Sequence, residues 1–230
     1  MIEGPVLVLA SHPDDEVLGC GGTIARLAQD GVDVDIAILG EGVTSRYADR
    51  DEADLEVVAR LHDTSRRVGE LLGARSVELF GLPDNRFDTV PLLDVVKVIE
   101  ELVERLRPAT LFTQAGGDLN VDHAVLFRAA LTATRPVAGH PVRRVYAYEV
   151  MSSTEWAFGQ FELAFQPNLF VDIAATLERK VEAMQLYESE ARPFPHPRAP
   201  ESLRAAARRW GSNAGVEAAE AFQLVRAVDP

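Results

Sequence analysis

The hexapeptide Ser-His-Pro-Asp-Asp-Glu at residues 11–16 constrains the fold of this chain more than any other stretch. The apolar, partly β-branched run at residues 6–10 precedes it and predicts a buried strand. The glycines at residues 19–22 follow it and predict the opening of a helix. Ligand sites of open α/β sheets lie at the carboxyl ends of the strands. One imidazole and three carboxylates at this point therefore predict a metal site.

Predicted strands and helices alternate through the first two thirds of the chain. The strands are predicted at residues 6–10, 32–39, 77–80, 110–113 and 144–149, and the helices at residues 22–29, 52–72, 92–106 and 121–132. This alternation predicts an α/β protein with a Rossmann-like, mostly parallel sheet and helices on both faces.

The pattern changes after residue 151. A strand is predicted at residues 169–173, a helix at 174–187, helical turns at 202–210 and a final helix or strand at 221–228. Residues 191–200 contain four prolines, too many for either element. Without an internal repeat or a flexible linker, we predict a single domain over residues 1–230. It would have an α/β core at about 1–150 and a C-terminal elaboration at about 151–230 that completes the active site.

The composition excludes several classes of protein. The formal net charge of −13 argues against a nucleic-acid partner, because phosphate neutralisation needs a basic face. No apolar run approaches the ~20 residues that span a bilayer. The first residues lack a basic segment followed by an apolar stretch, so we expect no signal peptide. Cys20 is the only cysteine, which is typical of a reducing cytoplasm, and we expect a cytoplasmic protein.

His12 and Asp15 stand three residues apart on a predicted turn that enters a helix, so their side chains can converge on one point. Imidazole and carboxylate together suit zinc or another divalent first-row ion. His123 is the best candidate for a third ligand, because it begins a helix that follows another strand of the same sheet. The alternative for residues 14–16 is helix capping, since acids at a helix N-terminus are stabilised by ~0.3–1 kcal/mol. A single helix cap needs only one acidic residue, so capping does not explain three acids and a histidine.

The hexapeptide resembles the (A/S)HPDDE signature of the LmbE-like, or PIG-L, zinc-dependent de-N-acetylases. Residues 118–123, Asp-Leu-Asn-Val-Asp-His, are similar to that family's second motif, D-x-(H/N)-x-D-H. Further likeness lies at residues 81–86, 148–156, 195–198 and 219–222, so it covers nearly the whole chain in the family's order. The resemblance implies an LmbE-like fold.

By this resemblance His12, Asp15 and His123 match the zinc ligands, and Asp14 matches the catalytic base. It implies a hydrolase that uses metal-activated water to remove the acetyl group from an N-acetylated amino sugar or its conjugate. A larger acyl group or a thiol-sugar conjugate is an alternative substrate, and Fe²⁺ suits the same ligands as Zn²⁺. The expected partner is a small N-acetylated sugar, and the sequence leaves a homo-oligomer open.

The chain departs from part of the family at Asn120, where some members have a histidine. Asparagine donates a hydrogen bond but, unlike histidine, cannot be protonated to a cation. We therefore expect His196, in a proline-fixed loop, to supply a cationic or acid role, the alternative being an exposed loop histidine. For Glu16 we expect a supporting role that orients a metal ligand.

Several residues on loops predicted at the same edge are candidates for substrate binding: Arg46, Asp84, Asn85, Arg86, Asn120 and Glu155. Asp and Asn suit sugar hydroxyls, whereas Arg46 and Arg86 suit a phosphate or carboxylate on the substrate. The alternative for both arginines is a surface ion pair. Glu155 is expected at the mouth of the site with Trp156, for which core packing is the alternative.

Two further classes of function compete with the hydrolase. A dinucleotide-binding oxidoreductase is suggested by glycines after the first predicted strand and Glu41 after the second. Residues 19–23 do not match G-x-G-x-x-G, however, and the carboxylates before them would repel a pyrophosphate. A non-catalytic protein with a structural metal is the other alternative. Structural zinc sites normally have four protein ligands, and the sequence offers three.

Overall fold

Strands and helices of the computed structural model, which describes residues 2–229, follow the predicted alternation closely. The strands are β1 (Val6–Ala10), β2 (Val34–Gly40), β3 (Ser76–Leu82), β4 (Thr110–Gln114), β5 (Arg144–Tyr148), β6 (Leu169–Asp172) and β7 (Ala219–Ala227). The α-helices are α1 (Asp15–Gln29), α2 (Leu55–Leu72), α3 (Leu92–Leu106), α4 (Val121–Ala133), α5 (Leu177–Leu186) and α6 (Pro200–Ala214).

All seven strands join one sheet, in the order β3-β2-β1-β4-β5-β7-β6. β1 to β5 are parallel to one another, while β7 is antiparallel to both β5 and β6. The winding of the sheet reverses between β1 and β4, and in open parallel sheets ligands bind beside such a reversal. The prediction of a Rossmann-like, mostly parallel sheet is confirmed.

The sheet is covered on both faces, as its fully buried strands β1, β2 and β4 require. Successive residues of β1 point to opposite sides, so Val6 and Val8 join one hydrophobic core and Leu7 and Leu9 the other. The first core contains residues of α1, α2 and α5, and the second contains residues of α3 and α4. The strands are therefore rigid supports for the loops at their carboxyl ends.

Helix α1 differs most from its predicted extent, because it begins at Asp15 and includes the glycines placed before it. These glycines allow close packing. A Cβ on Gly19 would lie 2.0 Å from the ring of Tyr148, and one on Gly22 would lie 2.7 Å from Ile173 Cδ1. The hexapeptide thus lies directly at the start of α1, without an intervening loop.

The C-terminal third adds β6 and β7 to the sheet, so the segment predicted as a final helix or strand is a strand. Residues 191–199 are irregular, as their prolines predict. None of the six helices between residues 2 and 229 has both the length and the apolar composition that crossing a membrane requires.

Candidate metal centre and active site

A cavity of about 230 Å³ opens at the carboxyl ends of the parallel strands. The loops after β1, β2, β3 and β4 contribute to its wall, together with the start of α4 and two side chains from residues 190–198. Of the predicted site residues, the wall includes His12, Asp14, Asp15, Arg46, Asp84, Asn85, Asn120 and His123. The topology therefore brings together residues that lie more than a hundred positions apart in the sequence.

His12, Asp15 and His123 form a cluster in which one potential ligand atom of each lies within 4.8 Å of the others. Asp15 Oδ2 lies 3.4 Å from His12 Nδ1 and 3.3 Å from His123 Nε2. Both ring nitrogens of His123 are buried and lack a hydrogen bond to any residue between 2 and 229. Buried polar atoms are nearly always paired, so this set of donors fits a metal ion.

A second group of possible ligands, His12, Asp84 and Asp122, lies beside the first. Its carboxylates accept hydrogen bonds from the protein, as Asp15 does from the backbone N–H of His12, so the two groups differ in that only the first contains the unpaired His123. Asp84 Oδ2 accepts from the backbone N–H of Ser45 at 3.0 Å and from its hydroxyl at 2.6 Å. Asp122 Oδ1 accepts from the backbone N–H of Phe87 at 2.8 Å. The first group, with its unpaired histidine, is the better metal site.

Three buried polar side chains lie next to the cluster. Gln114 Nε2 donates to Asp15 Oδ2 at 3.0 Å, and Asp122 Oδ2 lies 2.9 Å from His12 Nε2. Asp118 Oδ1 lies 3.1 Å from His123 Nδ1, with an orientation outside that of a hydrogen bond. Carboxylates behind metal-binding histidines commonly fix the ring orientation. No role was predicted for these three residues, although Asp118 and Asp122 lie in the motif at 118–123 and Gln114 ends β4.

Asp14 precedes α1 with a backbone φ of 109°, in the left-handed region that non-glycine residues rarely adopt. Its backbone N–H donates to Glu16 Oε2 at 3.1 Å, and Glu16 Oε1 accepts from the Tyr187 hydroxyl at 2.7 Å. Glu16 therefore supports Asp14 and not a metal ligand. The strained backbone leaves the Asp14 side chain free of helix capping, so it lies on the cavity wall.

Arg198 is the main partner of the Asp14 carboxylate, since its Nη1 donates to Asp14 Oδ2 at 2.6 Å. Burial raises the pKa of Asp14 well above its ordinary value, although the guanidinium opposes this shift. Arg198 Nε also donates to Ser152 Oγ at 2.8 Å, and Nη1 donates to Glu190 Oε2 at 3.1 Å. The only signal for Arg198 in the sequence was its place in the motif at 195–198.

His196 does not line the cavity, contrary to the expectation that it would serve there. Its Nδ1 accepts a hydrogen bond from the backbone N–H of Arg198 at 3.1 Å. Its ring packs edge-on against Trp156, with 5.6 Å between the ring centroids. The proline-rich loop directs Arg198 into the cavity and leaves His196 behind it. A catalytic role for His196 stays a prediction without a contact to support it.

Arg86 and Glu155 also lie outside the cavity. Arg86 is exposed, and Glu155 Oε1 accepts from the backbone N–H of Ser152 at 2.6 Å, which stabilises the loop after β5. Asn120, by contrast, is on the wall. Its Oδ1 caps α4 by accepting from the backbone N–H of Asp122, and its Nδ2 donates to Asn85 Oδ1 at 2.8 Å.

Comparison with known proteins finds several deacetylases. The chain is 26% identical over 175 residues to an uncharacterised deacetylase, YaiS, of Escherichia coli K12, covering 73% of this chain and 81% of that protein. It is 24% identical to the diacetylchitobiose deacetylase of Thermococcus kodakarensis, over 80% of this chain and 69% of that protein. The probable N-acetyl-α-D-glucosaminyl L-malate deacetylase 2 of Bacillus cereus is also 24% identical, over 82% and 84%.

Solved structures confirm the fold. The conserved protein TT1542 of Thermus thermophilus has a TM-score of 0.75 and 27% identity, covering all of this chain and 97% of its own. The N,N'-diacetylchitobiose deacetylase of Pyrococcus horikoshii has a TM-score of 0.76 and 22% identity, over 96% and 83%. GalB of Pseudomonas putida, a 4-carboxy-2-hydroxymuconate hydratase, has a TM-score of 0.74 and 23% identity, over 98% of both chains. The fold alone therefore does not select one reaction.

Family membership follows from the sequence itself. The profile of the PIG-L family, described as GlcNAc-PI de-N-acetylase, matches residues 7–134, which is more than half of the chain. The matched segment contains the hexapeptide and the motif at 118–123. The resemblance seen in these motifs is confirmed, and this chain is an enzyme of the PIG-L de-N-acetylase family.

Proposed function

We propose that this chain is a metal-dependent deacetylase that removes the acetyl group from an N-acetylated amino sugar or its conjugate. The observation that carries the proposal is the buried His123, whose unpaired ring nitrogens lie with His12 and Asp15 beside the carboxylate of Asp14. Relatives named as deacetylases of diacetylchitobiose and of N-acetylglucosaminyl malate support the class of substrate.

His12, Asp15 and His123 would hold a zinc ion, and ferrous iron suits the same ligands. When bound, the ion supplies a Lewis acid for the amide carbonyl and lowers the pKa of water. Three protein ligands leave a coordination position open, which is typical of a catalytic site and not of a structural one. This argues against the structural-metal alternative.

Asp14 is the proposed general base. Its Oδ2 accepts from Arg198, whereas no group between residues 2 and 229 donates a hydrogen bond to Oδ1. Oδ1 can therefore take a proton from the attacking water and pass it to the departing amine nitrogen. Arg198 holds the carboxylate in place during both transfers, and Glu16 holds the backbone beneath it.

We assign Asn85 and Asn120, on the cavity wall, to the sugar hydroxyls, which is the role predicted for them; Arg46, on the same wall, was predicted to bind a phosphate or carboxylate instead. The cavity of about 230 Å³ lies below the range of roughly 300–1,000 Å³ that is typical of drug-sized ligands. We therefore place the acetamido group and one sugar ring inside it, with the rest of a conjugate outside.

Acetate release tests this function directly. Protein reconstituted with Zn²⁺ or Fe²⁺ is incubated with N-acetylglucosamine, diacetylchitobiose and N-acetylglucosaminyl malate, and with N-acyl analogues of longer chain. We expect acetate from at least one N-acetyl sugar and slower release of longer acyl groups. Hydration of 4-carboxy-2-hydroxymuconate in place of acetate release, or tight binding of NAD, would contradict the proposal.

A further inference from the structure

Glu190 lies between two arginines on the cavity wall. Its Oε2 accepts from Arg198 Nη1 at 3.1 Å, and its Oε1 accepts from Arg46 Nη2. The Glu190 side chain is 11% exposed, whereas the Arg46 side chain is 47% exposed. A buried carboxylate therefore ties the partly exposed Arg46 to the network that holds Asp14.

This arrangement makes Arg46 a poor site for an anionic group of the substrate. A free arginine at the mouth would suit a phosphate or carboxylate on the substrate. Between residues 2 and 229, however, the guanidinium of Arg46 donates only to Glu190. An anionic group that approached it would have to displace Glu190 or lie close to a like charge, and like charges brought together in an interface are strongly unfavourable.

The charges on the whole cavity wall also disfavour an anionic group. Four carboxylates, those of Asp14, Asp15, Asp84 and Glu190, face two guanidiniums. A divalent ion held by the His12 cluster would only balance this excess of negative charge. No unpaired positive charge would then be left to attract an anion, and the whole chain carries a formal net charge of −13.

We propose that Glu190 is a specificity-determining residue, through which the cavity selects amino sugars with a neutral attached group over those that carry a carboxylate or phosphate near the sugar. This inference rests on the proposed deacetylase function. It assigns the substrate class within that function: a neutral N-acetylated sugar or glycoside.

Two conjugates test the proposal, because they differ in charge: neutral diacetylchitobiose and anionic N-acetylglucosaminyl malate. The kcat/KM of each is measured for the wild type, for Glu190→Gln and for Glu188→Gln. Glu188 is an exposed carboxylate two positions away that does not line the cavity, so it serves as a matched control. Glutamine at 190 keeps an oxygen that accepts from arginine while it removes the charge.

We expect the wild type to prefer the neutral substrate by at least about tenfold, which corresponds to about 1.4 kcal/mol. Glu190→Gln should reduce this preference by about tenfold, mainly by lowering the KM of the malate conjugate. Glu188→Gln should keep the wild-type preference. Using a ratio of two substrates cancels any loss of kcat that arises from a looser Arg198.

A wild type that prefers the malate conjugate, or a preference unchanged by Glu190→Gln, would overturn the inference. If neither of these compounds nor N-acetylglucosamine released acetate, the proposed function would fail instead. Calorimetric affinities of the same two compounds for the same proteins would then still decide whether Glu190 discriminates by charge. Should Glu190→Gln fold poorly, as judged by its melting temperature, Glu190→Ala provides the second variant.

Discussion

The residues of the hexapeptide have different positions and contacts at this site. His12 and Asp15 point to His123, Asp14 lies on the wall with a left-handed backbone, and Glu16 accepts from the Asp14 N–H. Burial raises the pKa of Glu16 to about 7, although the hydrogen bond from the Tyr187 hydroxyl opposes this shift. Each of the three consecutive acids therefore has a different environment, which explains why simple helix capping does not account for them.

Replacement of Asp14 by asparagine tests its role as the base. Asparagine keeps the size of the side chain but cannot accept the proton from water. We expect Asp14→Asn to bind metal at the wild-type stoichiometry and to lose at least about 100-fold in kcat. Metal analysis and acetate release measure the two properties separately. A variant with the wild-type rate would remove Asp14 from the mechanism.

Replacement of His123 by alanine tests the metal cluster. The loss of one of the three proposed ligands should leave the purified protein without stoichiometric metal after dialysis. His140→Ala is the control, because His140 lies away from the cavity, where its ring contacts the Ala133 carbonyl at 3.2 Å. Elemental analysis of both variants provides the measurement. Unchanged metal content in His123→Ala would exclude this residue as a ligand.

At the scale of secondary structure, α1 is the element that positions the site, and its glycines let it approach the sheet. Gly19 packs against the ring of Tyr148, whose hydroxyl donates to the carbonyl of Leu9 in β1 at 2.6 Å. The N-terminal end of α1, with Asp15 at its first position, is thereby held against β1 and β5. The backbone of α1 at Gly19 lies so close to the Tyr148 ring that a residue with a Cβ would not fit there.

Gly19→Ala should consequently destabilise the protein. Alanine favours a helix by about 1 kcal/mol over glycine, but its Cβ would lie 2.0 Å from Tyr148 Cδ2. Overpacking of a core commonly costs about 1–3 kcal/mol, so we expect a net loss in the free energy of unfolding. Gly81→Ala is the control, since a Cβ there meets no atom within 4 Å. Urea denaturation measures both, and equal stabilities would refute this packing argument.

At the scale of the whole molecule, the C-terminal third is joined to α1 through a buried ion pair. Lys180 Nζ donates to Glu220 Oε1 at 2.6 Å and to the Leu18 carbonyl at 2.8 Å. Glu220 also accepts from the backbone N–H groups of Gly22 and Thr23 at 2.9 and 2.7 Å. The pair links α5 and β7 to α1, and the same third of the chain supplies Glu190 and Arg198 to the cavity.

Lys180→Met should weaken this connection. It leaves the buried Glu220 carboxylate without its cation, a change that commonly costs about 3–5 kcal/mol in the free energy of unfolding. Because two backbone N–H groups still donate to Glu220, we expect a loss near the lower value. Lys97→Met is the control, because the Lys97–Glu100 pair is largely exposed and should contribute less than about 1 kcal/mol. Chemical denaturation compares the two variants. Similar losses in both would mean that the buried pair does not hold the C-terminal third.

Local patterns in the sequence predicted most of the secondary structure and the cluster of His12, Asp15 and His123. The bounds of β1 and of α3 match their predictions at both ends, because apolar periodicity and the flanking breakers are local properties. His12, Asp15 and His123 were predicted as ligands because the carboxyl ends of parallel strands share one edge of the sheet, and the structure brings the three side chains together there.

Only the tertiary structure decided how the rest of the cavity is built. Arg198 meets Asp14 across 184 positions, and Glu190 meets Arg46 across 144, and neither contact leaves a periodic signal in the chain. The proline-rich loop directs Arg198 into the cavity and His196 against Trp156, while Arg86 and Glu155 lie outside. Which side chain of a loop faces the cavity depends on packing against distant elements. The sequence by itself therefore determined the fold and the cluster that we propose to bind a metal, whereas the tertiary structure decided the charges that a substrate would meet.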